Sequence, residues 1–394
     1  MPVWHEKTKA LRASGKLTVI GVAQEQHADR CLLFARWQGI DWPILWDPFN
    51  MTDTRVVPRA TLIDEHGVVR SLRANPNTLE RDFLTKTYAA PEKTETLPEG
   101  TGHELIELLQ AKAGTPQAAY YGALSDLLWN TGNGDEAMQA LRAYAQKEAK
   151  DAAAWWRLGV AYRMRHDSGE RHDGDFQTAL EYWHKGLDLD PAQYIYRRRI
   201  QQYGPRLDKP YPFYPWVAAA RKALKARGVA VPALIAPLSG AEQAAAGRIA
   251  AAKEEQEPDP DRKIETFSKL LDVESAVAWN PPGRRDRAEA ARVHVILRPS
   301  GNRVLLWDAD AGPVTIWLDL PAGWKTEQQR LTYTLRGTDR AEENVVLDFE
   351  ITFPQDKAVA GTIRGYALYY ACLDGPGECR YLRHDFEIVV PKRP

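Results

Sequence analysis

At 394 residues the chain is two to three times the usual domain length, so two or three hydrophobic cores are expected rather than one. A hydrophobic fraction of 44% with 27% charged residues excludes a wholly disordered or collagen-like chain. With 52 Lys and Arg against 53 Asp and Glu, no long-range field draws it to nucleic acid or an anionic membrane.

In chain order, "WHEKTKALRASG" reads as a short amphipathic helix stopped by glycine, and "LTVIGVAQ" as an apolar run of the kind buried in a parallel sheet. Its leading residues lack a basic head, an apolar middle and a small-residue cleavage site, so no secretory signal is read and by itself the chain reads as cytoplasmic. "HADRCLLFARWQG" is a second helix, with Leu32, Leu33, Ala35 and Trp37 as its apolar stripe. "WPILWD" follows, then "VVPRATLIDEHGVVRSL", a strand, turn and strand around His66 and Gly67. Residues 1–95 therefore pattern as α/β.

Residues 96–228 are expected to be helical. Aligning Ser125 with Gly159 gives an offset of 34, the tetratricopeptide period. The second copy holds Trp155, Leu158, Gly159 and Tyr162 on its first helix and Ala179, Trp183, Gly186 and Pro191 on its second. Small residues let paired helices approach, aromatics fill the space between pairs, and proline ends the second helix. "RHDSGERHDG" adds about eight residues to the usual turn. The first copy, with Leu124, Ser125, Leu128, Ala137 and Leu141, lacks the closing proline. The region resembles a small tetratricopeptide unit, which implies a peptide or protein ligand.

Residues 229–265 read as a linker, with "VAVPALIAPLSG", an alanine-rich stretch and the charge run "KEEQEPDPDRK", taken as solvated. "VAVPALIAPL" is the nearest approach to a membrane span, and it falls well short of the roughly 20 apolar residues required. Residues 266–394 turn to strands: "VESAVAWN", "RVHVILRP", "VTIWLDLP", "LTYTLRG", "NVVLDFEITF", "GTIRGYALYYAC" and "CRYLRHDFEIVV". Seven short alternating strands with Gly, Pro, Asp and Asn turns suit a two-sheet sandwich of immunoglobulin type. The expected fold class is thus multidomain: an α/β part, an α-helical part and an all-β sandwich.

Three cysteines make no disulfide framework, but two of them bracket the turn "LDGPGE". Cys372 ends one strand and Cys379 begins the next, so they face each other across a hairpin. Opposed positions bring Cβ atoms to roughly 4.5–5.5 Å, close to what a disulfide needs. Two readings stay open. One is a staple, contributing about 2.5 kcal/mol by chain entropy; the other is an exchangeable pair. Cys31, beside Leu32 and Leu33, reads as a small core residue. His166 and His172 flank acidic residues in a glycine-containing loop and read as solvated, with no metal or cofactor expected. Trp155, Trp156, Tyr162 and Trp183 read chiefly as packing.

The stretch "GYALYYACLDGPGECRYLRHDFEIVV" within a seven-stranded sandwich resembles the amino-terminal periplasmic domain of the thiol–disulfide interchange protein DsbD and its relatives. That resemblance spans roughly residues 270–392 and implies an immunoglobulin-like fold in which Cys372 and Cys379 relay electrons to protein thiols or disulfides in the periplasm. The amino-terminal segment, "KLTVIGVAQEQHADRCLLFARWQGIDWPILWDPFN" followed by "RVVPRATLIDEHGVVR", resembles the TlpA/ResA branch of the thioredoxin fold. By that likeness Pro58 matches the cis-proline beside the active site, and Glu25 falls within a position of an acidic residue assisting proton transfer. The branch's first strand and W-C-x-x-C motif are absent, which removes dithiol chemistry there and leaves neighbouring strands with exposed backbone groups. Either the true start lies upstream or the domain serves as a binding platform. The expectation is a thiol–disulfide exchange protein; its rival is a non-enzymatic adaptor with a stapled sandwich.

Overall fold

The computed structural model describes residues 2–92, 116–206, 216–239, 242, 255–267, 270–281, 290–300, 305–335, 340–341, 344–354, 360–373 and 379–393. It is a mixed α/β chain dividing into two compact units. One comprises Met1–Met164, Lys185–Arg197 and Ala219–Ala236; the other Arg165–His184, Arg198–Ala218 and Pro237–Pro394. The expected helix over residues 100–115 lies outside the described residues.

The first unit opens with α1 (Pro2–Ala13), β1 (Gly21–Ala23), α2 (Ala28–Gln38) and β2 (Ile44–Trp46). β1 and β2 pair in parallel, Val22 opposite Leu45. β3 (Leu62–Ile63) and β4 (Val69–Ser71) form a separate antiparallel pair around the His66–Gly67 turn, followed by a π-helix, Glu80–Leu84. Leaving the sheet in two pieces exposes Val22 at 47%, Leu45 at 55% and Ile63 at 55%, so the apolar run expected to be buried is only partly covered. Helix α2 also departs from its expected stripe. Leu33 is fully buried and Leu32 is exposed, while Arg30 lies inward and donates to the Ala236 carbonyl at 3.4 Å. Arg30, Leu33 and Trp37 recur at helical spacing, and the long guanidinium reaches a carbonyl that the apolar reading ignores. Gly39, with φ 61°, ends α2 in the left-handed conformation, where glycine has no Cβ penalty.

Helices α3 (Pro116–Trp129), α4 (Gly134–Lys147), α5 (Ala152–His166), α6 (Asp175–Leu189), α7 (Tyr194–Tyr203) and α8 (Trp216–Ala226) follow. Within the first unit Tyr120 stacks on Tyr144, with centroids 4.2 Å apart, and Trp156 on Tyr196 at 4.8 Å. A Cβ at Gly186 would lie 3.0 Å from both the Ala152 carbonyl oxygen and the Trp156 Cβ, so α5 and α6 meet there only because that residue is glycine.

The second unit is dominated by two antiparallel sheets around a common core. One orders β5 (Leu271–Trp279), β6 (Ala290–Pro299), β12 (Val345–Thr352) and β9 (Lys325–Thr326). The other centres on β13 (Gly361–Leu373), flanked along one side by β14 (Cys379–Val390) and along the other by β8 (Val314–Asp319) and then β7 (Leu305–Asp308). β10 (Arg330–Tyr333) extends β8, and β11 (Arg340–Ala341) extends β7. Alternation fills the space between the sheets with Val293, Val295, Leu297, Ile316, Phe349, Tyr369 and Ile388.

The outward face of the β5–β6–β12 sheet is also buried, and it is charged. Arg292 meets Asp348 at 3.1 Å and Glu350 at 3.0 Å, and His294 holds Asp348 at 3.0 Å and the Tyr203 carbonyl at 2.8 Å. Glu274 pairs with Arg298 at 2.5 Å and His166 at 3.4 Å. His166 is therefore no solvated loop residue as expected, whereas His172 is exposed. Burial raises the Glu274 carboxyl, but the close approach of His166 and the ion pair with Arg298 outweigh it and hold the group at about 2.

The end of the segment expected to be a solvated linker, from Glu255 onward, instead forms with the residues up to Phe267 a strap on the outer face of the β13 sheet. The Glu255 carboxylate accepts from the Gln329 and Arg330 amides at 2.9 and 2.7 Å. Asp259 takes a 2.8 Å hydrogen bond from Arg383, and Ile264 packs on the cluster of Trp317, Tyr366 and Leu368. A charge run settles on a sheet here because its carboxylates meet specific donors.

A candidate thiol–disulfide site

The strand pairing of β13 with β14 runs unbroken from Gly361↔Val390 to Cys372↔Cys379. Tyr369 and Ala371 point into the core, so by period-two alternation Tyr370 and Cys372 point outward, as do Tyr381 and Cys379 opposite them. Cys372 and Cys379 are joined in a disulfide, with Cα atoms 4.0 Å apart. The two cysteines differ in surroundings: Cys372 is 2% exposed, held between β14 and β7, while Cys379 is exposed. The next pair on the same face, two rungs along, is Tyr370 against Tyr381, with ring centroids 4.5 Å apart, giving one side of the disulfide an aromatic wall. Burial pushes the Tyr381 hydroxyl above its ordinary pKa, so it stays a neutral donor at physiological pH.

Asp308 completes the site. It ends β7, and its carboxylate and the two sulfurs all lie within 4.8 Å of one another. Its Oδ1 also accepts from the Ala311 amide at 3.0 Å, which anchors the carboxylate in the turn after the strand. Sequence reasoning missed both Asp308 and its strand, which has only four residues and runs into the polar "DADAG". The signal available was the short apolar "VLLW" just before it.

Of the other predicted residues, Pro58, Glu25, Cys31, Trp155, Trp156 and Tyr162 lie in the first unit and Trp183 in the second. The Val57–Pro58 peptide is cis. Glu25 is half-buried; its Oε1 accepts from the Gln26 amide at 2.9 Å and its carbonyl from the Trp46 indole at 2.7 Å. Cys31 is a free thiol of intermediate exposure on α2. Trp155, Trp156, Tyr162 and Trp183 are at most 6% exposed and so are packing residues.

No family profile matches the sequence, and no curated protein does. Among solved structures, the GAE domain of yeast GGA1 is 12% identical, covering 33% of this chain and 100% of its own, with a TM-score of 0.18. The GAE domain of GGA2p from Saccharomyces cerevisiae is 10% identical, covering 33% and 98%, with a TM-score of 0.19. An extracellular fragment of EsaA from Streptococcus gallolyticus is 13% identical, covering 72% and 65%, with a TM-score of 0.11. At these scores the likenesses carry no argument about fold or function.

Proposed function

We propose that the chain is a thiol–disulfide exchange protein of the bacterial cell envelope, working through Cys372 and Cys379 on an immunoglobulin-like sandwich. In the same reading residues 1–95 are an incomplete thioredoxin-like domain, followed by a tetratricopeptide-like helical region over residues 96–228. The observation that carries the reading is the pair's asymmetry: a disulfide at the Cys372↔Cys379 end of the β13–β14 hairpin, with Cys379 exposed and Cys372 buried. Exchange proceeds by in-line attack of a thiolate on one disulfide sulfur, so access decides which sulfur is attacked.

In the oxidised chain a partner's thiolate attacks Cys379 Sγ. The bond between Cys372 and Cys379 breaks, its electron pair leaves on Cys372, and a mixed disulfide forms. A second partner thiol attacks the partner's own sulfur in that mixed disulfide, which leaves both cysteines of the chain reduced and the partner oxidised. The reverse sequence passes the electrons onward. Tyr370 and Tyr381 bound the approach on one side, and no helix among the described residues is long and apolar enough to cross a membrane.

The burial of Cys372 between two strands also favours a second reading, in which the pair is a structural staple and the chain an adaptor. Treating the folded full chain with a small dithiol and then counting thiols separates them. Exchange predicts that the thiol count rises from one to three while the near-ultraviolet circular dichroism is unchanged. A count that rises only as the protein unfolds would overturn the proposal.

A further inference from the structure

Asp308, Cys372 and Cys379 present one carboxylate oxygen and two sulfurs within 4.8 Å of one another. From this juxtaposition we infer that the reduced pair, together with Asp308, is a binding site for a divalent metal ion of zinc type. The inference rests on the reading that the disulfide opens in the folded protein.

The donor set has the right chemistry. Thiolates select borderline and soft ions, and a carboxylate completes a set that zinc accepts at about 2.3 Å for sulfur and about 2.0–2.2 Å for oxygen. Ligands around such an ion stand roughly 3–4 Å apart. The three atoms therefore need only a small adjustment, chiefly the separation of the two sulfurs on reduction. Three elements fix the donors: β7 holds Asp308, β13 holds Cys372 and β14 holds Cys379. Cys372 is buried and Cys379 exposed, so the site has a closed floor and an open entry, and three protein ligands leave a fourth position for water.

The reaction balances simply. A dithiol reductant converts the disulfide into two thiols and becomes a disulfide itself. The ion then displaces one proton from each thiol, giving two thiolates and one carboxylate around a 2+ ion. Metal binding and disulfide formation are mutually exclusive, so the ion protects the reduced pair from oxidation.

Cobalt(II) added to the folded chain, reduced with a phosphine in a Cys31→Ser background, tests this. The expected result is one ion per chain with thiolate-to-cobalt charge-transfer bands, displaced by zinc and absent from the oxidised protein. Asp308→Asn, which keeps the amide-accepting oxygen, should weaken binding by about tenfold or more at an unchanged thiol count. Two thiols without charge-transfer bands would overturn the metal site and leave the exchange proposal standing. Bands of full affinity in Asp308→Asn would remove Asp308 from the site and so overturn the inference as drawn. Failure of the disulfide to open in the folded chain would overturn both.

Discussion

Asp308 places a carboxylate beside the two sulfurs, and a negative charge this near repels an incoming thiolate. If the pair exchanges as proposed, Asp308→Asn is expected to speed reduction of the disulfide by a small anionic thiolate by about three- to tenfold at low ionic strength, the gain shrinking as salt screens the charge. Rates measured across ionic strength check this; a uniformly slower variant would contradict it. Exposure makes a separate prediction: with Cys372→Ser the remaining Cys379 should form a mixed disulfide at least about tenfold faster than Cys372 does in Cys379→Ser. The cysteine pair was legible in the sequence because two opposed strands and a short turn specify their register. Asp308 was not, because its closeness to them comes from a strand more than sixty residues away.

Among the elements, β13 is held from both sides and has a position where only glycine fits. A Cβ at Gly365 would lie 2.6 Å from the Trp317 carbonyl oxygen and 2.8 Å from the Phe386 ring. Gly365→Ala should lower the denaturant midpoint of the second unit without changing the slope, by about 1–3 kcal/mol, as overpacking does. The strap offers a different test. Asp259 accepts from the Lys263 amide at 2.8 Å and pairs with Arg383, so Asp259→Ala should speed hydrogen exchange at Lys263 and Phe267 while leaving the β13–β14 amides protected. Protection unchanged at Lys263 would show that Asp259 does not hold the strap. The long alternating strands were readable because period-two burial writes itself into the sequence, as in Val293, Val295 and Leu297. The strap was hidden because "EPDPDRK" looks alike whether water or Arg383 satisfies it, and Arg30 hid the inward face of α2 in the same way.

On the scale of the whole molecule, buried titratable groups in the second unit make its stability depend on pH. His184 is buried and its imidazole is pushed down to about 4 by desolvation. Its depressed pKa means that the unfolded chain takes up the proton first. The associated stability is fully present above about pH 6.5 and lost as pH falls to about 4, amounting to about 3 kcal/mol. Glu274, held at about 2, adds a second loss from its unfolded value near 4.5 downward. Thermal unfolding followed from pH 7 to pH 3 should show the first decline before the second begins, and His184→Gln should flatten the first; a stability constant between pH 6.5 and 4.5 would contradict this. Residue patterning foretold a run of helices followed by a run of strands. Patterning did not foretell that β6 would be covered on both faces, since Arg292, His294 and Arg298 alternate with apolar residues as on a solvated sheet and are buried only through partners distant in sequence.

The reduction potential of the Cys372–Cys379 pair tests the central claim most directly. It is obtained by equilibrating the folded chain with dithiol buffers of known poise and counting thiols after an acid quench. The account predicts a value above about −300 mV, in the range of exchange proteins. A value well below that would mark a resistant structural bond and contradict it.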